Sequence, residues 1–318
     1  GIGSPNNTIR NNTVTENTSG ILLMGEGAQG NEVTGNDISY NSSEGVRILH
    51  GASSNTVADN TITHNDMGVW VTEASDNNRF ISNDICQNNY EGVWLQDPSG
   101  SVLQDNVISR GGANAIRLQR TSNSVISGNY VLNNGGGIWS YEGSSGNLIY
   151  NNYFDNPGTP NARDDGVNTW NVAKTPGDNI VGGQFLGGNY WHDYLGRDDD
   201  GDGIGDTLLP YNSSGNIQNG GDWLPLKMPV PVVLLEVHPN ERGAGWHTGQ
   251  YLGIDAWKRR TTSPHSGYWW QDYEFAGSGM LWIQVCAQNW DSTQTGYADD
   301  DNTYAFINGV YPSDYDGI

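Results

Sequence analysis

Asn60-Thr-Ile-Thr-His-Asn-Asp-Met-Gly-Val-Trp-Val71 and Asn83-Asp-Ile-Cys-Gln-Asn-Asn-Tyr-Glu-Gly-Val-Trp-Leu95 carry the pattern on which the fold turns. Each begins with an asparagine, places an apolar residue two positions later, and ends in a glycine followed by an alternating strand. Outward from this pair the asparagine recurs at Asn12, Asn36, Asn106, Asn129 and Asn152, in steps of 23 or 24 residues. The small residue recurs at Gly20, Gly45, Gly68, Gly92, Ala115 and Gly137, in steps of 22 to 25. A period near 23, with short strands and no helical periodicity, is one coil of a β-solenoid. The expected fold is all-β, with a right-handed parallel β-helix over residues 1–157. Coils stack ~4.8 Å apart, so aligned positions become ladders. Asparagine suits a corner ladder because it tolerates left-handed backbone and its amide can bond the amide one coil away. The Leu-x-x-Leu-x-Leu pattern of a leucine-rich repeat is missing, and a β-sandwich would not hold one residue type in register across seven repeats.

Period-two alternation assigns the faces of the strand after each glycine. Val69 and Val71, Val93 and Leu95, and Ile116 and Leu118 should point inward. The residues between them form an outward column: Leu22, Arg47, Trp70, Trp94, Arg117 and Trp139. Bulky aromatics and arginines on consecutive coils need an explanation. A glycan face is one, since flat rings stack on sugar faces and arginine donates to hydroxyls or carboxylates; packing beneath a loop or partner is the other. Three positions further on lie His50, Glu73, Asp97, Arg120 and Glu142. Carboxylates on adjacent coils, such as Glu73 and Asp97, are expected about 5 Å apart, the separation that retaining glycosidases use. Any β-solenoid produces that spacing, so a solvated acidic edge is the simpler reading. Glu73, Asp97, Arg117 and Arg120 are the only candidates for catalysis that the coils offer.

Composition narrows the function classes. The chain has 318 residues, 35 % hydrophobic, with 44 Gly, 12 Trp, 16 Tyr and a net charge of -22. Its mean hydropathy is -0.60. Disordered chains are poor in aromatics, so this points to a thin core resting on repeated backbone pairing. The acidity excludes nucleic acid as a partner, because phosphate neutralisation dominates such binding. No apolar run approaches the ~20 residues that span a bilayer. Cys86 and Cys286 lie far apart and read as two separate small buried residues. Asn-X-Ser/Thr sequons at Asn6, Asn11, Asn17, Asn41 and Asn212 are candidate glycosylation sites of an exported protein.

Residues 158–227 form a terminal segment in which the repeat gives way to Gly188-Asn-Tyr-Trp-His-Asp-Tyr-Leu-Gly196 and Arg197-Asp-Asp-Asp-Gly-Asp-Gly-Ile-Gly-Asp206. Alternating carboxylates with glycine at the bend wrap a hard cation in oxygen ligands. The run is similar to the EF-hand Asp-x-Asp-x-Asp-Gly loop, although Pro210 lies near the place of the closing glutamate. Asp198, Asp200, Asp202 and Asp206, with the carbonyl of Ile204, are the expected calcium ligands. Without a cation, five carboxylates within nine residues would repel one another.

The Asn-rich coils together with Asn189-Tyr-Trp-His-Asp-Tyr194 and Asp200-Gly-Asp-Gly-Ile-Gly-Asp206 resemble the NosD-like β-helix proteins, also called the CASH (carbohydrate-binding and sugar-hydrolase) group. The resemblance covers residues 1 to about 227. It implies a right-handed β-helix, export and carbohydrate association, and its form is that of archaeal surface proteins. The copper role of the named family member is not carried over, because Met24, Met67, Met228 and Met280 are scattered and the histidines do not cluster.

Residues 228–318 follow a proline-rich linker and alternate aromatic strands with Gly and Asn-Gly turns, as an antiparallel β-sandwich does. Leu281-Trp-Ile-Gln-Val and Asp299-Asp-Asp-Asn-Thr-Tyr-Ala-Phe-Ile-Asn-Gly309 are similar to jelly-roll carbohydrate-binding modules, with an incomplete set of strands. Trp246, Trp257, Trp269, Trp270 and Trp290 are its candidate sugar-stacking residues. The expected function is an extracellular, calcium-stabilised surface protein that binds or organises glycans. Open strand edges at the coil ends would favour a homo-oligomer or filament. The alternative is a polysaccharide lyase or glycoside hydrolase working along the coils, and no motif names a nucleophile or base.

Overall fold

The computed structural model describes residues 1–228 and the backbone of four further strands, Glu236–His238, Trp246–Leu252, Ala256–Thr262 and Tyr304–Phe306. Gly1–Pro229 and Val230–Ile318 are separate compact units. Three parallel sheets run through the first. Sheet 1 stacks eight strands from Thr8–Arg10 to Val167–Thr169, and sheet 2 stacks eight from Thr13–Thr15 to Tyr190–Trp191. Sheet 3 stacks seven, from Ile21–Met24 to Ala162–Asp164. Each coil visits the three sheets in turn and pairs in register with its neighbours, as Ile85 does with Ile62 and Ile108. This is the expected parallel β-helix.

Alternation sorts the side chains as expected. Most coils send four apolar residues inward, such as Phe80, Ile85, Val93 and Leu95, none more than 1 % exposed, and Ser140 takes the fourth place in the coil of Ile126, Val131 and Ile138. Four residues fill a narrow core whose walls are hydrogen-bonded backbone, which is why so little apolar content suffices. The glycine column marks where the chain enters sheet 3 too close to the next coil for most side chains. A Cβ on Gly68 would lie 2.4 Å from the Gly92 carbonyl oxygen and 2.5 Å from Ile85 Cγ2.

Asparagine holds the coils together at three corners, not at the single corner the sequence points to. In the column read from the sequence, Asn106 Oδ1 accepts from Asn83 N at 2.9 Å and Asn83 Nδ2 at 3.0 Å. Asn106 Nδ2 donates to Phe80 O and Asn129 Oδ1, both at 2.9 Å. Each amide thus ties three coils and leaves no hydrogen-bonding group idle. Asn31, Asn55 and Asn78 build a second ladder, which is interrupted at Ser101 and resumes at Ser124 and Asn147. Asn17, Asn41, Asn65 and Asn88 build a third, which breaks at Gly111 and resumes at Asn134.

The reason for asparagine also needs correction. The left-handed residue is the one before each ladder asparagine: Asn11, Asp59, Ser82, Asp105 and Asn151, with φ between 53 and 56°, and Gly35 and Gly128 in between. The ladder asparagines were expected to supply the left-handed backbone themselves. Instead they are buried amide clamps, and the strained turn falls to a partner that varies among Gly, Asn, Asp and Ser in this column and among Glu16, Tyr40, His64 and Gln87 in the third ladder.

The terminal segment closes the C-terminal end of the coils. Asn189 extends the ladder from Asn152, its Oδ1 accepting at 2.9 Å. Trp191 stacks on Phe154 with centroids 4.6 Å apart, and Tyr211 stacks on Trp191 at 4.5 Å. Two buried carboxylates hold the capping indoles. Asp164 accepts from Trp170 Nε1 at 3.1 Å, and Asp222 accepts from Trp191 Nε1 at 2.9 Å and Asn189 N at 2.7 Å. Motif residues of the family resemblance are therefore capping residues here. Among the described residues no helix is long and apolar enough to cross a membrane.

In the second unit Glu236–His238 pairs antiparallel with Tyr304–Phe306, and Trp246–Leu252 with Ala256–Thr262. The remainder of the expected sandwich, with Trp269, Trp270, Trp290 and Cys286, lies outside the described residues.

Two predictions follow from the ladder and the cap. Asn106→Ala strands buried donors on Asn83 and should cost about 2–4 kcal/mol in chemical denaturation, whereas Asp105→Gly should stay within about 0.5 kcal/mol of the wild type; equal losses would refute the division of labour. Burial pushes the Asp222 carboxyl up to about 7, against the hydrogen bonds from Asn189, Trp191 and Leu224 that pull it down. A folded pKa raised above the ordinary 3.8 gives stability that is fully present below that value and is lost progressively as pH rises from there through about 7. The melting temperature should fall over that interval, and Asp222→Asn should remove this component; an unchanged slope in the variant would contradict the assignment.

Candidate functional site

The outward column of sheet 3 is in register as read from the sequence. Leu22 faces Arg47, Arg47 faces Trp70, Trp70 faces Trp94, Trp94 faces Arg117 and Arg117 faces Trp139. Arg163 extends it by one coil. All but the exposed Arg163 are half-buried. The side chains form one continuous stack. The Arg47 guanidinium lies 4.4 Å from the Trp70 centroid, Trp70 and Trp94 stack at 5.1 Å with planes 12° apart, and Arg117 lies 4.3 Å from the Trp94 centroid. Trp139 stacks on Tyr141 at 4.5 Å. Coil spacing and ring thickness match, so each Trp70 and Trp94 face is taken by a neighbour. The sequence points to open indole faces for sugar stacking; the structure offers ring edges and guanidinium rims instead.

The arginines are anchored from below by residues the sequence reading missed. Arg117 donates through Nη1 to Glu91 Oε1 at 3.0 Å and through Nε to the Tyr141 hydroxyl at 2.9 Å. Arg47 Nη1 lies 3.5 Å from Glu44 Oε1. Glu44 and Glu91 are 1 % and 7 % exposed, so each buried carboxylate requires its cation. A Glu-Gly pair at 44–45 and again at 91–92, just before the sheet-3 strand, was the available signal. Trp70 Nε1 donates to Gln96 Oε1 at 3.2 Å.

Beside the column runs the corner of His50, Glu73, Asp97, Arg120 and Glu142, all with left-handed backbone. His50 pairs with Glu73. Arg120 is clasped between Asp97, at 2.5 Å from Nε, and Glu142. The hydrogen bond to Asp97 chiefly holds the guanidinium above its ordinary pKa. Asp97, Arg117 and Arg120 are thus members of ion pairs and Glu73 is held by His50, and neither arginine can serve as a base, since a guanidinium does not deprotonate in proteins.

In the Asp-rich loop, oxygens of Asp198, Asp200 and Asp206 lie within 4.8 Å of one another. Asp198 accepts from Gly201 N at 2.7 Å and Gly203 N at 2.8 Å, folding the loop around itself. Asp202 is not with them: Lys174 pairs with it, and it accepts from Ile204 N at 2.8 Å. Ile204 is 3 % exposed and bridges to Leu226. The loop wraps Tyr194, whose hydroxyl donates to Thr207 O.

Of the sequons, Asn6, Asn11, Asn17 and Asn212 are exposed. Asn41 is 2 % exposed and its amide donates to Val14 O and Asn65 Oδ1, so that sequon is closed in the folded coil. Cys86 is a free, partly buried thiol, pushed up to about 11 by burial and then by Asp84.

The family model described as periplasmic copper-binding protein (NosD) matches residues 2–91 and 48–196. No curated protein matches the chain. Among solved structures, the A-module of the Azotobacter vinelandii mannuronan C-5 epimerase AlgE4 is 16 % identical, covering 52 % of this chain and 53 % of that one, with a TM-score of 0.46. The periplasmic alginate epimerase AlgG is 16 % identical over 52 % of this chain and 42 % of that one, at a TM-score of 0.40. Pectate lyase Pel9A is 18 % identical over 48 % and 55 %, at 0.32. The chain spans about half the length of these proteins, and at such values the likeness adds nothing to the architecture already described. Copper favours soft or imidazole ligands in a cluster. Here Met24 ends its sheet-3 strand and Met67 begins one, and the one carboxylate, thiol or imidazole group close enough to share an ion, among the described residues, is the all-oxygen Asp198, Asp200 and Asp206. The described residues do not fit copper. With the family model matching residues 2–91 and 48–196, more than half of its length, the chain belongs to the NosD family of parallel β-helix proteins.

Proposed function

We propose that the chain is an exported carbohydrate-binding protein whose sheet-3 face is the binding surface, with a calcium ion at Asp198, Asp200 and Asp206 tightening the C-terminal cap. The observation that carries this reading is the half-exposed Arg47–Trp70–Trp94–Arg117–Trp139 stack on consecutive coils. Its side chains are locked in place, so a polymer lying along the coil axis meets them at little entropic cost. Guanidinium N–H groups and the Gln96 and Gln119 amides suit the hydroxyls of such a polymer. The corner with Glu73, Asp97 and Glu142 borders the same face. A family of periplasmic description and the sequons agree with export. An adhesive or surface-organising role is the biological form of this reading.

The cation reading rests on the three convergent carboxylates and on the repulsion they would otherwise suffer. Asp202, held by Lys174, is left out of the ligand set. Because the loop packs around Tyr194 beside the capping stack, a bound ion would stabilise the whole end of the coils.

Two measurements test these readings. In affinity electrophoresis against a polysaccharide panel, binding without new reducing ends or unsaturated uronate is expected, and Trp94→Ala or Arg117→Ala should weaken it by about tenfold or more. Turnover would move the chain to the lyase or hydrolase class, and binding unaffected by both variants would move the site elsewhere. Saturating calcium should raise the melting temperature by about 5–10 °C over chelated protein, and Asp200→Asn with Asp206→Asn should abolish the difference. No shift in the wild type would remove calcium from the account.

A further inference from the structure

The charge arrangement of the sheet-3 face specifies which polysaccharides it admits, on the premise of the carbohydrate reading above. All but one of its arginines are already engaged. Arg47 is paired with Glu44, Arg117 with Glu91, and Arg120 with both Asp97 and Glu142. Set against those three arginines are five carboxylates: Glu44, Glu73, Glu91, Asp97 and Glu142. Arg163, at the last coil of the column, is the one guanidinium there without an ion pair among the described residues.

A polyuronate brings one carboxylate per sugar and, lying along the axis, needs a free cation on most coils. It meets instead engaged guanidiniums, a border of Glu73, Asp97 and Glu142, and a chain of net charge -22. Like charges brought together at an interface cost specificity-determining energy even where ring and hydroxyl contacts are good. An uncharged chain meets no such cost. We infer that this face selects uncharged polysaccharides and excludes polyuronates, with Asp97 and Glu142 excluding them by holding Arg120.

The experiment is affinity electrophoresis of the full chain, at one ionic strength and without divalent cations, in gels containing hydroxyethyl cellulose, galactomannan, alginate or polygalacturonate. The neutral polymers should retard the wild type and the two polyuronates should not. The double variant Asp97→Asn/Glu142→Gln changes two exposed side chains and frees Arg120; it should gain alginate retardation, with an apparent affinity raised by about tenfold. Its circular dichroism and melting curve establish that it is folded. Alginate retarding the wild type as strongly as the neutral polymers, or no gain in the folded double variant, would overturn the inference. Binding of polyuronates alone would overturn it while leaving the carbohydrate reading intact. Retardation by none of the four would bring down both.

Discussion

A carboxamide can accept from one neighbour and donate to the next at the same time, and this two-sidedness is what the coils depend on. A β-helix coil has too few apolar residues to hold itself shut by burial alone. At each corner the backbone turns away from its sheet, and its N–H and C=O groups lose their strand partners. The ladder asparagines take over there. Asn83, Asn106 and Asn129 each satisfy a backbone N–H of the preceding coil, a carbonyl behind them and the next amide ahead. Serine takes the place at Ser124 with fewer bonds, its hydroxyl accepting from Ser101 N, while the buried Ser101 hydroxyl has no partner among the described residues. The geometry is unforgiving of volume as well, as Gly68 shows beneath the Gly92 carbonyl.

With stability assigned to corners and interior, the outward positions of each strand are released from structural duty, and in sheet 3 they carry the Arg/Trp column proposed as the binding face. Stacking at the coil spacing turns isolated arginines and tryptophans into one rigid strip. Buried Glu44 and Glu91 fix the guanidiniums from beneath. The result is a surface rich in hydrogen-bonding edges and poor in free positive charge. That combination is what the proposed binding of a hydroxyl-bearing polymer rests on.

The fold was legible because its determinants repeat. One asparagine and one glycine column located the coils, the inward faces and the Trp/Arg column. The other two asparagine ladders share the same period but were diluted, by Ser101 and Ser124 in one and by Gly111 in the other. The left-handed position leaves no column of its own, because residues as different as Gly, Asp, Ser, Tyr, His and Gln occupy it. At the site, composition gave the column but not its internal stacking, which depends on side-chain directions between coils. Glu44 and Glu91 were hidden because a buried carboxylate looks in sequence like any acidic loop residue. The placement of Asp202 against Lys174 joins positions 28 apart and leaves no local pattern. Asn41 carries a sequon yet is a ladder residue, since the two uses of asparagine share one letter.

The most direct test of the account is the structure of the protein with a bound neutral oligosaccharide. The sugar should lie across the strands of sheet 3, its hydroxyls against Arg47, Trp70, Trp94 and Arg117. Density on the outer faces of sheets 1 or 2, or confined to the Asp-rich loop, would contradict it.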